Sequence, residues 1–416
     1  TYDSEAEFPG DIRIWRDIRW GKHFHLFLTD ARTWRADHVV AEDAAPGAIV
    51  VDQTALEADL GALPDWAVPY VDDIETFESG AIHAVLTANA ESLDIDPATV
   101  TGKFSANWVN SALAKLAEAG VEVPTGIMTD GLPRGLAITS VGKRSQYTSI
   151  GSRSLAIAEP WDVYARARFA ATGGESEQML GDEQQDWLVT GIEESDATWK
   201  TWGNSFMVDT RVIDVTGYAR LPEDFRQRYY LSTEDWNGAL IRRDEILDRI
   251  GAVDNVVTIA GDIHAFFVAT PTSRSDESKR IVEFVSSSIS SATYEKLLVK
   301  TAAEDPGLRD AGAAALALLV AELLMDPAIG ANPTLAQAII NEHGYSVAEV
   351  DGETFAVTQY GIPQAQIIND LEDSELDELT TIRRFRTRAV SRTVEQDYGG
   401  VWKVWDPTTL AWIDPS

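Results

Sequence analysis

The chain has 416 residues, 44% of them hydrophobic and 13 of them tryptophan, which is enough apolar surface for a packed core and excludes a disordered chain. Its 67 acidic residues against 34 basic give a net charge of −33, a field that repels polyanions and excludes a nucleic-acid-binding module. There is no cysteine, so neither disulfides nor thiolate-bound metals come from this sequence, and the acidity fits a saline habitat or divalent-cation binding alike.

The first residue is Thr1, with no initiator methionine and no signal-peptide pattern, which reads as a mature or trimmed product of a secreted or periplasmic protein. The longest apolar run, from Ala311 to Met325, includes Glu322 and is too short to span a membrane, so it is expected as a buried helix.

In chain order, residues 11–40 open with a strand pair. Ile12, Ile14, Ile18 and Trp20 alternate with polar residues, Gly21-Lys22 punctuates, and Phe24 to Leu28 forms a second, buried strand that ends at Asp30. Arg32 and Arg35 follow, placed either to meet a phosphate or to pair with carboxylates, the second being the commoner fate. From 41 to 175 the strand–helix rhythm is lost among recurrent Pro and Gly, apart from an amphipathic helix at about Ala106 to Ala119. Gly142-Lys143 and Gly151-Ser152-Arg153 are phosphate-friendly in composition but do not make a P-loop. This stretch is expected as an insertion or cap.

Order resumes at Met179 to Leu188, where Asp182 is an expected N-cap and Leu188 and Ile192 share a helical face. Thr198 to Trp202 then leads through Gly203-Asn204 to an expected strand at Phe206-Met207-Val208. Asp235-Trp236-Asn237-Gly238 introduces a helix with Leu240, Leu247 and Ile250 on one side. Val256 to Ala260 is a β-branched strand stopped by Gly261-Asp262-Ile263-His264, and Ile281 to Val285 is its partner, running into Ser286-Ser287-Ser288. On an extended chain Asp262 and His264, two apart, point the same way, and a carboxylate with an imidazole suits two ligands of one metal. Asn332-Pro333 is expected to start another helical turn. His343 precedes a hairpin, Ser346 to Val350 and Glu353 to Tyr360, expected to turn at Asp351-Gly352 in a type I′ conformation. The tail passes from an acidic block at 372–378 to a basic one at 383–392, a pattern expected of a solvated helix pair. Alternating helices and buried strands indicate a layered α/β fold. The segments are 1–40 and 176–365 for the main body, 41–175 for the insertion and 366–416 for a charged extension.

Four stretches in order, Leu28 to Arg35, Leu180 to Leu188, Asp235 to Gly238 and Gly261 to His264, resemble the PhoD-type alkaline phosphatase/phosphodiesterase family of metallophosphoesterases, with a weaker match at Asn332-Pro333 and Gly344-Tyr345. The resemblance implies a four-layer α-β-β-α sandwich with iron and calcium at the strand ends and a metal-activated water or hydroxide attacking phosphorus. It implies metal ligation by Asp262 and His264, catalytic parts for Asp235 and His264, and substrate contacts for Arg32, Trp236 and Asn237. The family's earlier ligand motifs, Gly-Asp-x-x-Tyr and Trp-Asp-Asp-His-Glu, occur nowhere in the sequence. A separate N-terminal chain of the same precursor is therefore expected to complete the site. Two alternatives stand beside this reading: an N-terminal-nucleophile hydrolase using Thr1, and a non-catalytic cation-binding protein on a phosphatase-like fold.

Overall fold

A computed structural model describes residues 13–41, 44–142, 155–369 and 371–415. The centre is a seven-stranded sheet formed by β1 (Arg16–Trp20), β2 (Phe24–Leu28), β3 (Trp199–Gly203), β4 (Val256–Ala260), β5 (Phe266–Ala269), β6 (Val282–Val285) and β7 (Leu335–Ile339), in the order β1-β2-β3-β4-β6-β5-β7. β2, β3, β4 and β6 run parallel, and β1, β5 and β7 are antiparallel to their neighbours. The parallel strands are buried on both faces, which is why they read as continuous apolar runs rather than alternating ones.

Each face of this sheet packs on its own layer. On one side lie the helices α1 (Asp182–Glu194) and α2 (Leu240–Ile250), whose Leu188, Ile192, Leu247 and Ile250 meet Phe27 and Trp202. On the other lies a six-stranded antiparallel sheet of β8 (Glu342–Val350), β9 (Thr354–Pro363), β10 (Thr381–Arg388), β11 (Glu395–Tyr398), β12 (Val401–Asp406) and β13 (Ala411–Ile413). Phe355 is the hub between the sheets, stacked on Phe284 at 6.2 Å and edge-on to Trp199 at 5.7 Å. Helices, sheet and sheet are three of the four expected layers. The helix Asp373–Leu379 that joins two strands of the outer sheet buries no residue.

Within the expected insertion, the described residues 44–142 hold a folded unit rather than irregular chain. Strands Ile49–Val51, Arg134–Ala137, Val68–Val71 and Phe104–Ser105 pair in that order, and helices Ala81–Ala88 and Ala106–Glu118 enclose a core of Ile74, Ile82, Leu86, Phe104, Val109 and Leu113. Strands of two to four residues are too short to print an alternating pattern, so only the long helix was visible beforehand. A second cluster, with Trp161, Tyr164, Leu136, Val212 and Tyr230, ties this unit to the body.

Several local expectations are corrected. The strand lies at 199–203, and 206–208 is a buried loop, because the parallel ladder with β2 and β4 ends at Gly203. The N-cap of α1 is Gly181 at φ 77°, and Asp182 is the first helical residue. The apolar run 311–325 breaks into Ala313–Ala317 and Val320–Met325, with Leu318 57% exposed between them and the buried residues shared among separate clusters. The β8–β9 hairpin forms as expected, but Gly352 and Glu353 keep negative φ, and the Asp351 side chain makes the turn by accepting from the N–H groups of Glu353 and Thr354 at 2.7 Å each. Asn332 starts no helix; its amide pins the loop before β7 by bonding the backbone of Val212 in both directions and the carbonyl of Leu324. In the tail the acidic block forms the helix 373–379, but the basic block is β10, whose Arg383 and Arg386 pair with Glu342 and Glu395. Residues 381–413, expected as an extension, thus supply four strands of the outer sheet.

Candidate functional site

In α/β folds with parallel strands, ligands collect beyond the C-terminal ends of those strands. Here those ends deliver Asp30 after β2, Asn204 after β3, Asp262 and His264 after β4, and Ser286 to Ser288 after β6.

The turn after β4 is not extended. Asp262 and His264 both take left-handed backbone conformations, at φ 66° and 58°. Such conformations cost a side-chain-bearing residue roughly 1–3 kcal/mol and are held only where the surroundings fix them. Here the His264 carbonyl accepts from the Tyr294 N–H at 3.0 Å, and Ile263 N–H closes on Gly261 O at 2.8 Å. The side chain of His264 donates from Nδ1 to the carbonyl of Ala292 at 2.6 Å. A carbonyl only accepts, so Nδ1 carries a proton, and in the neutral ring Nε2 is the nitrogen with the lone pair, the arrangement in which an imidazole serves as a metal ligand or a base. Asp262 is exposed beside it.

Behind this turn lies a buried ion pair. Asp235 caps the turn Trp236–Gly238, accepting from Asn237 N–H at 3.0 Å, and its other oxygen meets Arg211. Both side chains are enclosed. Burial raises the Asp235 carboxyl and Arg211 pulls it back, while the charge of Asp262 is close enough to push it further up. Burial works against the Arg211 charge, and Asp235, Tyr294 and Glu283 together more than offset it. Tyr294, at the start of the helix Tyr294–Glu304, completes the group: burial raises its hydroxyl and Arg211 lowers it.

His343 joins from β8. It is buried, its Nδ1 has no partner, and Gly344 N–H donates to Ser288 O at 3.0 Å beside the end of β6. Burial lowers its pKa against the pull of the Ser288 backbone, and the nearby Lys296 and His264 lower it further, so the two imidazoles lie within electrostatic reach. A Cβ at position 344 would stand 1.8 Å from Tyr360 O, which makes glycine obligatory there and explains the Gly-Tyr pair. Gly238 is likewise fixed, since a Cβ would stand 2.0 Å from Thr233 O.

The conspicuous sequence stretches hold one another. Gln184 bonds both backbone groups of Asp30, accepting from its N–H at 2.6 Å and donating to its carbonyl at 3.0 Å. Arg35 donates to the carbonyl of Glu234 at 2.5 Å and pairs with its carboxylate at 3.2 Å, the structural fate expected of it. Trp236 lies edge-on to Trp202 at 5.6 Å. Stretches 28–35, 180–188 and 235–238 therefore form one scaffold beneath the end of β4. The chain belongs to the PhoD-like phosphatase family. The model of that family matches residues 140–357, just over half of the chain, and takes in every one of these stretches except the first. A search of curated proteins returns no match. A solved structure described as "Structure of PhoD" is similar at 16% identity over 57% of this chain and 36% of its own length, with a TM-score of 0.33, so the chain spans little more than a third of that protein.

Of the residues expected at a PhoD-like site, Asp262 and His264 stand together at the strand end and Asp235 lies just behind them. Arg32 is exposed on the short helix Ala31–Trp34. Trp236 is fully buried, and Asn237 spends its amide on the carbonyls of Leu231 and Ser232 and on Arg211 N–H, so both shape the turn from within. Sequence reasoning left His343 open to solvent or site; the signal that bears on it is the glycine that follows, which forces the close strand approach. Thr1, Lys143 and 151–153 lie outside the described residues.

Proposed function

We propose that the chain is a phosphoester hydrolase whose reacting centre lies at the end of β4, with Asp262 and His264 as the groups that face the phosphoester. The observation that carries this reading is the hydrogen bond of His264: with Nδ1 donating to Ala292 O, Nε2 is the ring nitrogen left to accept in the neutral imidazole, two residues after the exposed Asp262. Asp235, locked to Arg211, positions the turn rather than exchanging protons with substrate.

Members of the family are generally metal-dependent, and iron with calcium is the expected pair. Two donors fall short of the roughly four to six that each such ion takes, and among the described residues no group of three His, Asp or Glu side chains is arranged to hold a metal. The residues present do not fit a complete metal centre. The remaining donors would come from beyond them, which is the place for the separate N-terminal chain.

The test compares hydrolysis of an aryl phosphate monoester and diester by the native protein, Asp262→Asn and His264→Ala, with far-ultraviolet circular dichroism as the folding control. Both variants are expected to lose about 10²-fold or more, and folded variants that keep full turnover sink the assignment. Elemental analysis, intact mass and a denaturing gel of the native preparation test the completion of the site. Stoichiometric iron together with a second chain supports it; full activity with bound iron in a single 416-residue chain refutes it, and calcium alone without turnover favours the non-catalytic reading.

A further inference from the structure

A second cleft lies elsewhere. It measures about 1040 Å³ and lies between the helix Ala106–Glu118 of the inserted unit and the wall made by strands Val212–Asp214 and Arg228–Leu231. That wall separates it from the candidate site: Val212 and Tyr230 line the cleft, while the neighbouring Arg211 pairs with Asp235 on the far side.

We propose that this cleft binds a neutral carbohydrate, several sugar rings long. Three aromatic side chains line it, Trp66, Trp108 and Tyr230. Trp108 is held edge-on to Phe104 at 5.4 Å, and Tyr230 is fixed by its hydroxyl bond to Asp162 at 3.0 Å, so both rings are preset platforms. The buried indole N–H of Trp66 has no acceptor among the described residues. Sugar rings present a C–H face to an indole and hydroxyls at its rim, which is the match that an amphipathic aromatic offers. Asn107, Ser111, Thr139 and Gln227 supply neutral hydroxyl and amide groups around these rings.

Charge and size exclude the main competitors. Among the described residues two basic side chains line the cleft, Lys115, which donates to the carbonyl of Ser92 at 3.2 Å, and Arg228, which pairs with Asp214 at 3.6 Å. With Asp162 and Glu159 on the same lining and a net charge of −33, this setting disfavours an anionic ligand. Asp162 and Glu159 beside aromatic rings would suit a small organic cation. The volume, however, stands at the top of the range of about 300–1,000 Å³ for small-molecule sites, far more than one such ion fills.

The reading does not depend on phosphoester chemistry, and its test is a binding measurement on the full chain. Isothermal titration would use neutral hexasaccharides of glucose and of N-acetylglucosamine, with adenosine and tetramethylammonium as competitor classes. Saturable binding of a hexasaccharide is expected, weakened at least tenfold in Trp66→Ala and Trp108→Ala and unchanged in Trp402→Ala, a tryptophan of the outer sheet. Asn107→Ala and Gln227→Ala, which remove polar rim groups without opening a core, are expected to weaken it severalfold and guard against misfolding of the tryptophan variants. No saturable hexasaccharide binding, binding indifferent to all four cleft substitutions, or tighter binding of adenosine or tetramethylammonium at the same residues overturns the proposal.

Discussion

Replacing Asp235 by Asn separates a structural part for this residue from a catalytic one. The substitution keeps an oxygen to accept from Asn237 N–H but removes the charge that faces Arg211. Arg211 is completely buried; besides Asp235 it donates to Leu231 O at 3.3 Å and meets the Tyr294 hydroxyl, and its Nε and Nη1 have no hydrogen-bond partner among the described residues. A guanidinium left uncompensated in such a place costs about 3–5 kcal/mol. At about 1.4 kcal/mol per tenfold, that lowers the folded-to-unfolded ratio by roughly two to three and a half orders of magnitude, against a total stability of about 5–15 kcal/mol. Urea unfolding followed by tryptophan fluorescence measures the loss as a lower midpoint. Adding Arg211→Met removes the stranded charge and is expected to restore at least half of the loss. If Asp235→Asn unfolds within about 1 kcal/mol of the parent yet abolishes hydrolysis, the ion-pair reasoning is wrong and Asp235 acts on substrate.

Glu177 accepts from the first N–H groups of α2, those of Ile241 and Arg242, and burial pushes its carboxyl up to about 7. Because its folded pKa lies above the unfolded value, its contribution is fully present below about pH 4.5 and is lost as pH rises to about 7, a change of a few kcal/mol. Glu177→Gln keeps both bonds without titrating, so the difference in urea midpoint between parent and variant should open across that window; parallel curves refute it. Gly344→Ala forces a methyl group to within 1.8 Å of Tyr360 O and should destabilise by several kcal/mol in thermal unfolding, and an unchanged melting temperature would show that the strands part without cost. The net charge of −33 predicts a melting temperature that climbs between 0.1 and 1 M salt, as the screening length falls from about 10 to 3 Å. A flat or falling response counts against self-repulsion.

The strand Val256–Ala260, the first hairpin, the helices 182–194 and 240–250 and the β8–β9 hairpin were legible because each carries a local signal: a β-branched run, a turn dipeptide, or an apolar face at helical spacing. The inserted unit was not legible, because its short strands gain their stability from Phe104, Ile74 and their neighbours in a shared core rather than from any pattern of their own. The basic block 383–392 read as solvated because its carboxylate partners, Glu342 and Glu395, lie in other strands.

For the site, the sequence by itself marked out a set of distinctive stretches. The ordered stretches around Asp30, Gln184, Asp235 and Asp262 were visible in one dimension because each has a distinctive composition. Only the tertiary structure decided what each does. Hydrogen bonds and burial depend on residues far apart in the chain. They turned Trp236 and Asn237 inward, tied Asp235 to Arg211, brought His343 toward His264, and replaced the extended Asp262-x-His264 pair with a left-handed turn that frees one imidazole nitrogen.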